Sequence, residues 1–98
     1  MIERHVYLRL TPTSRRGDAL AQVIARSHAL AELEGVRTLR VLRAADEAAQ
    51  AAWDLCMVIL FDNLSDYQRF REHPAHRAYV DEFLQPHIQV IKAWNLEE

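Results

Sequence analysis

The residues best suited to chemistry lie in two short stretches. The first is His73-Pro74-Ala75-His76. An unperturbed imidazole titrates at about pH 6.5, so a small environmental shift makes it a useful general base at neutral pH. His76 is the candidate base; the competing reading is that it pins the start of a helix by hydrogen bonding. His73 and His76, three apart, could both touch a metal. Zinc needs three or four ligands and no third is evident nearby, so no metal is expected. The second stretch is His5, Tyr7 and Arg9, which share one face of an alternating segment and could line a pocket; alternatively they are exposed or interface positions.

The remaining chemistry-bearing residues read as structural. Asp46-Glu47 and Asp81-Glu82 look like solvated faces, and His28 and His87 like surface residues. Trp53 and Trp94 suit a core or a contact between subunits. Cys56, the single cysteine, behaves as a small buried hydrophobe. There is no phosphate-binding loop and no Ser-His-Asp signature.

These residues must be positioned by the elements around them. Residues 2–10 alternate as a strand, with Val6, Leu8 and Leu10 against His5, Tyr7 and Arg9. Pro12 ends it, and Thr13 or Ser14 can cap a helix. Leu20, Val23, Ile24, Ser27, Leu30 and Ala31 form its apolar face, firm from about Asp18 because Gly17 weakens the start. Gly35 is a natural stop. Residues 36–43 alternate again, with Leu39 and Val41 on one face and Val36 and Thr38 on the other. Residues 44–52 are a connection of uncertain shape. The continuous apolar run 55–61 predicts a strand buried on both faces. Asn63 or Ser65 caps the next helix, Pro74 interrupts and restarts it, and Pro86 ends the second piece. Residues 87–95 form the last strand, with Ile88, Val90 and Trp94 on one side and Ile91 and Ala93 on the other.

Composition sets outer limits. The chain has 98 residues, half hydrophobic and 27% charged, with net charge -2. That suits one globular domain over residues 1–98. The basic residues are scattered, so a nucleic-acid partner is not expected. No apolar run approaches a membrane span and no signal-peptide layout opens the chain, which reads as cytoplasmic. Arginine and alanine far outnumber lysine, which occurs once; this hints at a GC-rich bacterial genome.

The order β-α-β-β-α-β is the ferredoxin-like signature: an α+β fold with a four-stranded antiparallel sheet. Two helices cover one sheet face only. The other face must carry part of the apolar strand, through Met57 or Val58, and needs a cover. A second copy gives a homodimer with sheets face to face.

The chain resembles the stress-responsive dimeric α/β-barrel (Dabb) family nearly end to end. The resemblance rests on His5-Val6-Tyr7-Leu8-Arg9-Leu10, Leu33-Glu34-Gly35-Val36, Trp53-Asp54-Leu55, Phe61-Asp62 and His73-Pro74-Ala75-His76. It implies a dimeric barrel with a cavity between sheet and helices in each subunit, and no cofactor. One branch contains polyketide cyclases. There the position of His76 acts as general base, helped by a tyrosine at the position of Phe70, and the position of His5 lines the pocket. Phe70 removes that proton donor and leaves a more apolar wall. Tyr67, one turn earlier, could replace it only in a differently shaped cavity. The resemblance therefore implies a small apolar or aromatic ligand, His5 and His76 converging on one cavity, and Tyr7 and Arg9 bordering it. Two other readings are a non-enzymatic stress or assembly protein and a cofactor-free monooxygenase-like barrel.

Overall fold

In the computed structural model, which describes all of residues 1–98, β1 (Ile2–Leu10) is an inner strand of a four-stranded antiparallel sheet. Its partners are β2 (Val36–Arg43), β3 (Leu55–Phe61) and β4 (Ile88–Leu96), in the order β2-β3-β1-β4. Between the strands lie α1 (Pro12–Arg16), α2 (Ala19–Ala29), α3 (Glu47–Ala52), α4 (Leu64–Glu72) and α5 (Pro74–Ala78). From α5 the chain continues as a π-helical segment, Tyr79–Leu84, and a 3-10 turn, Gln85–His87. This is the ferredoxin-like arrangement. No helix is long and apolar enough to cross a membrane.

Local chemistry explains the element ends. The Thr11 side chain, rather than Thr13 or Ser14, caps α1. Asn63 caps α4 by accepting from the Asp66 amide at 2.8 Å. His73 caps α5, its Nδ1 accepting from the Ala75 amide at 3.0 Å, with Pro74 in the first turn where a missing N–H costs nothing. The connection 44–52 contains α3, started by Asp46, whose carboxylate accepts from the Ala49 amide. Gly35 adopts φ +93°, and a Cβ there would press on Asp66 at 3.3 Å. Glycine lets the chain turn into β2 directly against α4.

Strand alternation assigns the two faces. Leu8, Val6 and Ile2 pair with Leu55, Met57 and Phe61, and all six are buried beneath the helices. Met57 therefore faces the helices and Val58 the opposite side. Two bulges change the expected parity. Between Val36 and Thr38 the register skips Arg37, so Val36 opposes Phe61 and packs on the core. Between Arg9 and Leu10 it skips Gln89, so Ile88 opposes Leu10 and also packs inward instead of joining Val90 and Trp94. An extra residue reverses which side the following side chains face, and a bulge leaves no mark in periodicity. His87, expected at the surface, is half-buried, with its Nδ1 2.8 Å from the Ser14 hydroxyl.

Asp54 ties three elements together. Its carboxylate accepts from the Leu10 amide at 2.7 Å and from Arg15 at 2.9 and 3.1 Å, while its own amide donates to the Leu8 carbonyl. Asp54→Ala would leave the Leu10 amide unpaired and is expected to cost about 2–3 kcal/mol. A thermal melt should show the midpoint falling by ~10 °C or more; an unchanged midpoint would deny Asp54 this role.

Candidate functional site

One cavity of about 220 Å³ lies between the sheet and the helical layer. Its floor comes from β1, β3 and β4, with Val6, Met57, Ile59 and Ala93. Its roof comes from α4, α5 and the π-helical segment, with Phe70, His76, Tyr79 and Leu84. Pro74 starts α5 after α4 ends at Glu72, and His76 of α5 lines the cavity beside Phe70 of α4. The π-helical stretch widens the backbone beside it, a feature that recurs at functional sites.

His76 is only partly exposed and has one defined partner. Its Nδ1 lies 3.1 Å from the Arg71 carbonyl. A carbonyl can only accept, so Nδ1 carries the proton and Nε2 is left as the ring's basic nitrogen. Burial pushes the His76 pKa below its ordinary value of 6.5; the Arg71 carbonyl pulls it up, and the charges of Arg4 and Arg77 push it further down. The imidazole is thus neutral at neutral pH. Phe70 lies against it, with ring centroids 4.6 Å apart. One nitrogen of the histidine therefore pins α5 to the end of α4, and the other stays free of that bond.

Two phenols border the same cavity. Tyr79 shares a 2.6 Å hydrogen bond with the fully buried Ser27 hydroxyl. Burial raises its pKa, so it stays protonated. Tyr67 is buried on α4 with its ring under the Arg4 guanidinium, 4.7 Å from Cζ to centroid.

Arg4 was missed as a site residue. It lies on the helix-facing side of β1, half-buried, with Nη1 donating to Asn95 Oδ1 at 3.0 Å. Burial pushes its pKa down from the ordinary value. The signal was present: Arg4 has the same parity as Ile2, Val6 and Leu8, and a charge on an apolar strand face calls for an explanation.

The expected partners of His76 are elsewhere. His5 pairs across the sheet with Val58 and Trp94, on the face turned away from the helices. There its Nε2 meets Glu3 at 2.6 Å and its Nδ1 lies 3.4 Å from the Tyr7 hydroxyl. Tyr7 packs between Trp53 and Trp94, at 5.4 and 6.2 Å. Arg9 donates to Gln89 and to the Ala51 carbonyl. None of the three borders the cavity of His76. The sheet separates the two histidines, so convergence of His5 and His76 on one small group fails. Strand alternation is the reason: His5 cannot share a face with Val6. Of the expected site residues, His76, Phe70 and Tyr67 come together, while His5, Tyr7 and Arg9 form a second group on the open face.

That open face is a mixed, largely apolar surface. Val58 sits at its centre, with Leu42, Trp94 and Leu96 exposed around it. Burial pushes the Cys56 thiol up, which keeps it protonated and a poor nucleophile. No three His, Cys, Asp or Glu side chains come together as a metal would require, and His73 is occupied with its own helix.

The sequence matches the family model of the Stress responsive A/B Barrel Domain (Dabb) over residues 2–96. No curated protein matches it in sequence. Among solved structures, it is similar to a Dabb family protein with a ferredoxin-like fold from Mesorhizobium loti. That match has 18% identity and TM-score 0.85, and covers 99% of this chain and 95% of the other. A dimeric ferredoxin-like protein of unknown function from Thermobifida fusca gives 21% identity and TM-score 0.82, covering 99% and 90%. A dimeric protein of ferredoxin-like fold from Bacteroides fragilis gives 18% and 0.77, covering 99% and 95%. At these identities the likeness is one of fold. The family match spans nearly the whole chain, from β1 through the His73–His76 turn to β4, and on that ground the chain belongs to the stress-responsive A/B barrel (Dabb) family.

Proposed function

We propose that this chain binds a small, largely apolar or aromatic carbonyl compound beneath its helices and transfers a proton with His76. The observation that carries this reading is the state of His76: a half-buried, neutral imidazole with Nδ1–H committed to the Arg71 carbonyl, bordering a mostly apolar cavity. A cavity of 220 Å³ suits one ring with short substituents, since about 150 Å³ already takes benzene. A packed core around His76 would have favoured a non-enzymatic protein; the open volume favours a ligand.

In the step envisaged, Nε2 takes a proton from the carbon next to the carbonyl. The C–H bond breaks, an N–H bond forms, and the electron pair moves to the oxygen as an enolate. Phe70 offers no proton there. Tyr67, which lines the cavity, is the phenol this reading assigns to that oxygen, and the Tyr79 hydroxyl shares its hydrogen bond with Ser27. Acetophenone in heavy water tests the step: loss of its methyl proton signal reports exchange. The wild type should accelerate exchange, and His76→Gln should lose on the order of 10²–10⁴-fold. Exchange no faster than buffer, or unaffected by His76→Gln, would refute the base.

The same histidine sets a pH dependence. Its folded pKa is depressed, so below the ordinary value of 6.5 the unfolded chain binds a proton that the folded chain refuses. Stability should fall as pH drops from about 6.5 through the lowered value, then level off. Urea melts at pH 7.5 and 5 should show a smaller difference for His76→Gln than for the wild type. An equal difference in both would assign the acid loss to other groups.

The working unit is a homodimer joined through the open sheet faces. Leu42, Trp94 and Leu96 are exposed around Val58 on that face. The broad side of the molecule, 37 by 29 Å, exceeds the roughly 800 Å² per partner of a stable interface. The Thermobifida fusca and Bacteroides fragilis proteins of the same fold are described as dimeric.

A further inference from the structure

Arg4 is a buried-side cation without a counter-ion. None of the chain's ion pairs includes it. Its one hydrogen bond goes to the neutral Asn95 side chain, and its flat face rests on Tyr67. A guanidinium has five N–H donors, so most remain to be used. Holding a cation against apolar surface without an anion is unfavourable, and such charges are normally paired. Two more arginines, Arg71 and Arg77, stand at the same cavity, against one carboxylate, Asp81. Asp81 lies 3.5 Å from Arg77, not from Arg4. The surplus is local: the chain as a whole has net charge -2.

We infer that Arg4 is the anchor for a carboxylate, and that the aromatic or apolar carbonyl compound the cavity takes carries a carboxylate group of its own. This rests on the cavity being a ligand site, as argued above. The planar fork of arginine matches two carboxylate oxygens, and Asn95 and the Tyr67 ring hold it in place. Val6, Met57 and Ile59 receive the apolar body. The carboxylate sets the depth and direction of that body relative to His76, so Arg4 selects and positions rather than reacts.

Benzoate and benzamide have nearly the same shape and differ in charge, so they separate the two ideas. Each is titrated into ¹⁵N-labelled protein, following the amides of Val6, Met57 and Ala93. The wild type should bind benzoate at least about tenfold more tightly than benzamide, as a charge-assisted bidentate contact predicts. Added salt should narrow that gap. Arg4→Met should bring the two ligands to parity, with benzoate losing far more affinity than benzamide. Arg4→Gln, which keeps a donor for Asn95, gives the same comparison if Arg4→Met does not fold. Equal affinities in the wild type would overturn the inference and leave the cavity reading standing. A benzoate preference that survives loss of the Arg4 charge would also overturn it. Failure of both ligands to shift those amides would overturn the cavity reading as well.

Discussion

Met57→Asp is expected to leave the chain unfolded at neutral pH. Met57 is 3% exposed and lies in β3, opposite Val6 on one side and Val41 on the other. A carboxylate there would stand on the apolar floor of the cavity, against Val6 and Val41 of the neighbouring strands. Two cations share that face: Arg4, two positions along β1 from Val6 and held by Tyr67 and Asn95, and Arg43, two positions along β2 from Val41 and exposed. The short aspartate stays unpaired. Burying it costs several kcal/mol, a large share of the ~5–15 kcal/mol that holds a domain together. Met57→Leu keeps the volume and should cost less than ~1.5 kcal/mol. Far-UV circular dichroism distinguishes the two: loss of the native signal for aspartate and a normal cooperative melt for leucine. A folded Met57→Asp protein with an unshifted melt would show that this side chain does not face the core.

Val58→Asp, one residue along, is expected to give the opposite phenotype: a folded monomer. Val58 lies on the open face, between His5 of β1 and Arg40 of β2. In the single chain the Val58 side chain points away from the helices but is only 9% exposed, so a carboxylate there reaches water once the exposed side chains around it shift aside. In a symmetric dimer the same substitution enters the interface from both subunits at once. Each aspartate would be desolvated in the contact, at a cost of several kcal/mol per copy that the flanking Arg40 offsets only in part. Sedimentation at micromolar concentration should show wild-type dimer and mutant monomer, with circular dichroism unchanged between them. A Val58→Asp dimer as tight as the wild type would place the interface elsewhere. Unfolding of both aspartate variants would mean that the open face is covered within the chain itself.

Adjacent residues with opposite outcomes show where sequence reading ends. The run Leu55-Cys56-Met57-Val58-Ile59-Leu60-Phe61 identifies a central strand, because only such a strand tolerates apolar side chains on both faces. Alternation then says that Met57 and Val58 point in opposite directions, but not which of them meets the helices. The capping residues and prolines were legible for a local reason: a cap or a missing N–H acts within one turn of chain. Asn63 and Pro74 accordingly mark boundaries that the structure keeps, whereas Gly35 lies three residues past the end of its helical turn and Pro86 sits within the 3-10 turn Gln85–His87. The helix in 44–52 was less legible, because its single capping aspartate precedes an alanine-rich stretch without an apolar face.

His76, Phe70 and Tyr67 are grouped through the resemblance to the cyclase branch, and the structure brings α4 and α5 together so that all three border one cavity. His5 could not be placed the same way. Its parity with Tyr7 and Arg9 is a property of β1, but its position relative to His76 depends on which face of the sheet that hairpin packs against. Only the tertiary structure decided this, and it set Arg4 rather than His5 beneath the helices. The bulges at Arg37 and Gln89 belong to the same class: one extra residue reverses the facing of Val36 and Ile88 without changing hydrophobic periodicity. The sequence by itself determined the elements, their order and the boundary residues, because those follow from forces acting along the chain. The cavity, the tautomer of His76 and the uncompensated charge of Arg4 follow from contacts between β1, β4, α4 and α5, segments far apart in sequence that meet only once the chain is folded.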